Sequence, residues 1–112
     1  MNIKKIGLVA FVLFLFVIVA VFANPQDVKG QTYSLSGSGI TIYFGNSGVV
    51  VMREGSNQWN PAGTFTISGN TITVRFYDTG RGMLSSFSGT TARFTFIDRD
   101  TLEESGVEWI RR

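Results

Sequence analysis

Gly63-Thr-Phe-Thr-Ile-Ser-Gly-Asn-Thr-Ile-Thr-Val-Arg-Phe-Tyr77 is the stretch that decides the fold of this chain. Phe65 and Ile67 fall on one side of an extended backbone, and Thr64 and Thr66 fall on the other. Ser68-Gly69-Asn70 reverses the chain, and Ile72, Val74 and Phe76 restore the apolar side on the way back. The sequence therefore predicts two antiparallel strands with Phe65 and Phe76 on the buried face. Thr, Ile, Val and Phe suit a half-buried pleat, where β-branched and aromatic side chains pack best.

The same period of two extends outward in both directions. Upstream, Tyr33 and Leu35 alternate with Thr32 and Ser34. Ile40, Ile42 and Phe44 alternate with Thr41 and Tyr43, and Val49, Val51 and Arg53 with Val50 and Met52. Gly37-Ser38-Gly39 and Gly45-Asn46-Ser47-Gly48 supply turns in which positive φ costs little. Glu54 to Ala62 reads as a long loop carrying Trp59. Downstream, Asp78 to Gly82 reads as a glycine-rich turn, and Met83 to Phe87 as an irregular strand or short loop. Residues 89–97 read as a strand with Ala92, Phe94 and Phe96 inward. Asp98-Arg99-Asp100 turns into Thr101-Leu102-Glu103, and Val107 to Arg111 forms a last strand. No part of this region has helical periodicity. The expectation is an all-β, antiparallel up-and-down meander of seven or eight short strands, closed as a small barrel or folded as a β-sandwich.

The first 23 residues differ in kind. Lys4 and Lys5 precede an uncharged run, Ile6 to Ala23, which ends at Asn24-Pro25. A basic start, an apolar core and small residues at Val21 and Ala23 are the parts of a secretory signal peptide. The expectation is a signal helix cleaved after Ala23, then a polar tether over 24–31 and one domain over 32–112. Uncleaved, residues 6–23 approach the roughly 18–20 apolar residues that span a bilayer and would anchor the chain. The expected address is secreted or periplasmic, with membrane attachment only if the run is retained. No cysteine follows that could carry a lipid.

Charge and composition exclude several functions. The chain has ten basic and eight acidic residues, but Lys4 and Lys5 hold the whole excess. Residues 24–112 are formally neutral, which removes the basic surplus that nucleic-acid binding uses. With no histidine and no cysteine, Ser–His and Cys–His pairs and zinc sites built on nitrogen or sulfur are impossible. Without disulfides, a domain this small folds by burial alone, which favours a sheet with few open edges.

The remaining chemistry rests on carboxylates. A hydrolase such as a glycosidase would need two of them across a cleft, for which so small a domain has little room. Asp78-Thr79-Gly80 matches the aspartic-protease signature, but Arg81 follows where a small residue belongs. A turn in which Asp78 bonds the backbone ahead explains it better. Asp98-Arg99-Asp100 with Glu103 and Glu104 lacks the spacing and central glycine of a calcium loop and reads as a solvated turn. The expectation is a non-enzymatic binding or structural domain with no metal and no cofactor.

Phe94-Thr-Phe-Ile-Asp-Arg-Asp-Thr-Leu102 and Trp109-Ile-Arg111, taken with Gly63 to Val74, resemble small secreted bacterial lipocalin-like domains of unknown function. The resemblance covers residues 32–112 and implies a meander barrel in the cell envelope with an apolar interior or open mouth. The Gly-x-Trp motif that true lipocalins carry in their first strand has no counterpart in Tyr33–Ile42.

Two binding modes follow. A small apolar ligand inside the barrel would meet Phe44, Phe65, Phe76, Phe94 and Phe96, unless those rings fill so narrow a core themselves. An envelope protein would instead meet Trp59, the best single contact candidate, or the threonine face anchored by Arg75 and Arg93.

Overall fold

The computed structural model describes residues 24–78 and 86–112. The leader over residues 1–23 lies outside the described residues, as does most of the expected irregular segment at 83–87. Eight strands follow in order: β1 (Thr32–Leu35), β2 (Ile40–Phe44), β3 (Val49–Glu54), β4 (Asn57–Ser68), β5 (Thr71–Phe76), β6 (Thr91–Asp98), β7 (Thr101–Glu104) and β8 (Val107–Arg111). Each pairs antiparallel with the next, and β8 returns to β1. The result is a closed up-and-down barrel, not a sandwich. Closure leaves no unpaired sheet edge, which is how a chain without disulfides protects its backbone hydrogen bonds.

The central hairpin forms as its sequence dictates. Ser68 pairs with Thr71 across a two-residue turn, Gly69-Asn70, with Gly69 at φ 57°. That register sets Phe65 opposite Val74 and Phe76 opposite Gly63. Gly63 is needed there: a Cβ would collide with the backbone of Arg75 and Phe76.

The expected loop over Glu54–Ala62 is instead a tight turn at Gly55-Ser56 followed by strand. β4 is the longest strand, and the register against β3 shifts within it. Val50 pairs with Gly63 but Met52 pairs with Trp59, so two steps along β3 correspond to four along β4. Such a bulge bends the wall and increases its twist. Asn60 and Pro61, which look like loop residues in sequence, are the extra residues that the bulge absorbs.

Alternation places the core. Among the described residues seventeen apolar side chains are buried, including Ile42, Phe44, Met52, Ile72, Phe94, Leu102 and Trp109, all with no exposure, and no polar or charged residue is buried with them. Their rings touch through the barrel. Phe44 meets Tyr33, Phe65 and Phe94 edge-on at 5.9, 5.1 and 6.0 Å between centroids, and Phe94 meets Trp109 at 5.5 Å. Edge-to-face contact at these distances is the favoured geometry for aromatic pairs.

The segment expected to be a tether is part of the domain. Pro25–Val28 forms one 3₁₀ turn capped by Asn24, whose side chain accepts from the Gln26 amide at 2.9 Å. Val28 is fully buried. The Gly30 amide donates to the Phe44 carbonyl, and the Phe44 amide donates to Gln31. Residues 24–31 therefore stopper the barrel end that carries the β2–β3, β4–β5 and β6–β7 turns. Among the described residues no helix is long and apolar enough to cross a membrane.

Candidate site at the rim of the barrel

The opposite end, the rim, carries the β1–β2, β3–β4 and β7–β8 turns and the long connection from β5 to β6. Its inner surface is aromatic. Trp59 stacks on Phe76 with centroids 5.9 Å apart and ring planes at 26°. Phe76 then meets Phe87 at 5.3 Å, and Phe87 meets Trp109 at 6.5 Å. Trp59 and Trp109 thus close a ladder of four rings, whose lower member, through Phe94, joins the filled middle of the barrel.

Among the described residues, Trp59 Nε1, Trp109 Nε1 and Glu54 Oε2 are buried without a protein hydrogen-bond partner. Local sequence explains how each came to face inward. Met52 is an inward residue of β3, so Glu54, two residues on, follows it to the same side at the strand end. Trp59 is the register partner of Met52, and Trp109 is the partner of both Leu102 and Leu35. An indole N–H can only donate and an ionised carboxylate can only accept. Leaving either buried and unpaired costs about 1–3 kcal/mol. The rim therefore presents two donors and one acceptor, set in an apolar wall.

The stoppered end satisfies its polar groups. The Tyr33 hydroxyl donates to the Arg99 carbonyl at 2.9 Å, across the barrel mouth from β1 to the β6–β7 turn. Burial pushes its pKa up to about 12, with Asp100, Asp27 and Asp98 adding to the rise and Arg111 opposing it. The Asp98 carboxylate accepts from the Asp100 amide at 2.8 Å, the solvated turn expected from the sequence. Arg111 pairs with Asp100 at 3.4 Å, and Arg99 lies 3.9 Å from Asp27.

The sequence-predicted residues divide among these regions. Phe44, Phe65, Phe76, Phe94 and Phe96 all lie in the buried cluster. Phe76 alone of the five belongs to the rim ladder; contacts among Phe44, Phe65 and Phe94 fill the middle. Trp59 is not a loop residue: it sits in β4, half-buried, with its ring on Phe76. Arg75 and Arg93 are exposed on the outer wall, where Arg75 pairs with Thr91 and Arg93 with Thr73. Trp59 and the two arginines therefore lie on opposite sides of the wall and form no common surface.

Asp78 accepts from the Ser88 hydroxyl at 2.9 Å, bridging the two ends of the β5–β6 connection. Thr79 and Gly80 lie outside the described residues. No group of three His, Cys, Asp or Glu that could hold a metal ion occurs among the described residues.

Glu54 and Trp109 are the residues that sequence reasoning left out of the candidate site. Extending the alternation of Val50 and Met52 by one step would have turned Glu54 inward. Trp109 carries no comparable signal, because its missing acceptor exists only in three dimensions. No family model matches this chain, and no curated protein or solved structure matches it either.

Proposed function

We propose that this chain is a non-enzymatic binding domain that receives a small, mostly apolar molecule at the rim, where a hydrogen-bond acceptor on that molecule satisfies the buried indoles. The observation that carries the reading is the Nε1–H of fully buried Trp109, which has no acceptor among the described residues. Trp59 repeats the feature on the other side of Phe76 and Phe87. A molecule with one flat apolar face would lie against that ring ladder, and a carbonyl or ether oxygen would accept from an indole. Specific pockets are built this way, apolar over most of their surface with a few placed polar groups.

The ligand sits at the rim and not in mid-barrel, because the rings of Phe44, Phe65 and Phe94 already occupy the middle. With Lys4, Lys5 and the run to Ala23 acting as an export signal, the domain would meet its ligand outside the cytoplasm, free or tethered by that run. Attachment to an envelope protein through Arg75 and Arg93 is the second reading, favoured by their exposure one strand apart on the outer wall.

Native mass spectrometry of the chain purified from its own source tests the first reading. A co-purifying small molecule is expected, bound to the unsubstituted chain and lost from Trp109→Phe. Absence of any bound molecule, with indole fluorescence unmoved by a panel of aromatic ketones and lactones, would overturn it.

A further inference from the structure

The wall outside β1–β4 carries a groove of about 610 Å³ that is separate from the rim. Tyr43, Val51, Thr41, Gln58, Asn60, Arg53 and Arg112 are among the residues that line it. The register shift between β3 and β4 lies beside it, between Val50 and Met52. We propose that the groove is a binding site for an acidic oligosaccharide.

Charge is the first argument. The lining side chains include two guanidinium groups and no carboxylate. Neither Arg53 nor Arg112 has an ion-pair partner among the described residues. Arg53 instead donates from Nη2 to Gln58 Oε1 at 3.2 Å, a contact that steers the guanidinium along the groove and leaves its charge unneutralised. Guanidinium forks match carboxylate and sulfate oxygens in pairs.

Length is the second. The Arg112 amide donates to the Thr32 carbonyl, Thr32 pairs with Tyr43, and Arg53 pairs with Thr41. Arg112 and Arg53 are thus three strand spacings apart, about 15 Å between their backbones. A short chain of linked rings matches that span.

The surface between the arginines supplies the third argument. Tyr43 is 37 % exposed, although it stands in mid-strand. Its ring offers a flat apolar platform, flanked by the amides of Gln58 and Asn60 and the hydroxyl of Thr41. Amides and hydroxyls both donate and accept, which is what sugar hydroxyls require, and an aromatic face meets the C–H side of a pyranose. A groove built for charge alone would need neither.

The test is titration of the full chain with uronate-, sialate- and sulfate-bearing tri- and tetrasaccharides, alongside their neutral counterparts and an oligoglutamate. At least one acidic saccharide should bind better than its neutral counterpart and better than the peptide. Arg53→Gln and Arg112→Gln should each weaken it about tenfold, and Tyr43→Ala should weaken neutral and acidic forms alike. Lys29→Gln, on the stoppered end, should leave affinity unchanged. All four positions are exposed, so melting temperatures should stay close to that of the parent chain. Failure of every acidic saccharide to bind, binding indifferent to both arginine variants, or equal capture of oligoglutamate would each overturn the assignment. The rim variant Trp109→Phe should not change saccharide affinity, which keeps the two sites separable.

Discussion

The two ends of the barrel are made from the same kinds of residue and treat them oppositely. At the stoppered end, Val28 fills the opening and the Tyr33 hydroxyl finds the Arg99 carbonyl. At the rim, two indole N–H groups and a carboxylate oxygen are buried with no protein partner among the described residues. Both ends bury aromatic rings, so apolar area does not separate them. Polar satisfaction does. A fold selected only for stability pairs its buried polar groups. The rim, where that pairing is missing, is where the proposed ligand would complete the bonding.

The contrast is broken most severely through the rings. Phe44, in the filled middle next to the stopper, is fully buried and touches Tyr33, Phe65 and Phe94. Phe44→Ala should cost about 3–5 kcal/mol, the range for emptying an aromatic core site. Phe87, its counterpart at the rim, is half-buried, and Phe87→Ala should cost only about 1 kcal/mol. Urea unfolding of both variants measures the difference. Equal losses would mean that the rim is as tightly built as the stopper and has no room for a guest.

Hydrogen bonding sharpens the same contrast at smaller cost. Tyr33→Phe removes the donor to Arg99 and should lower stability by about 1–1.5 kcal/mol. Trp59→Phe loses some ring area but also removes an N–H that has no acceptor, and these effects offset. Its stability should remain within about 0.5 kcal/mol of the parent chain, while binding at the rim falls. A Trp59→Phe loss as large as that of Tyr33→Phe would show that the indole is already bonded in solution.

These differences mark what the sequence could and could not reveal. Alternation gave a meander of seven or eight strands and put Phe65, Phe76, Phe94 and Phe96 inside, because a period of two is a local property. It missed the strand around Trp59, because Asn60-Pro61 looks like a break when the two residues are absorbed by a bulge that β3 imposes from across the sheet. It likewise took residues 24–31 for a tether, since one buried side chain, Val28, in a polar segment has no periodicity to betray it. The groove was illegible for a related reason. Arg53 and Arg112 are distant in the chain and come together only when β8 closes on β1. Arg75 and Arg93 were legible as an outward pair because their strands alternate cleanly, yet nothing local showed that Trp59 lay on the other side of the wall.

Alkali distinguishes the ends by a different route. The Tyr33 phenol ionises near pH 10 in the unfolded chain but only near 12 in the fold, because burial disfavours the anion. A group whose folded pKa is raised contributes its full stability below the unfolded value and loses it as pH climbs through the folded one. Melting temperature should therefore fall between pH 10 and 12, and Tyr33→Phe should flatten that fall. The rim indoles do not titrate and should add nothing to it. A decline as steep in Tyr33→Phe as in the parent chain would place the sensitivity elsewhere.

The smallest effect concerns the charges around the stopper. Arg99 and Asp27 are 3.9 Å apart, with side chains 49 % and 39 % exposed. A pair so open to solvent gains little from its geometry and is screened by salt. Asp27→Asn should thus change stability by no more than about 0.5 kcal/mol, with the same small difference at low and high salt. If stability instead drops by more than 1 kcal/mol at low salt and recovers with added salt, charge is what holds residues 24–31 in the opening. The ends would then differ in electrostatics as much as in hydrogen bonding, and the missing partners at the rim would lose their significance as the one feature that sets it apart.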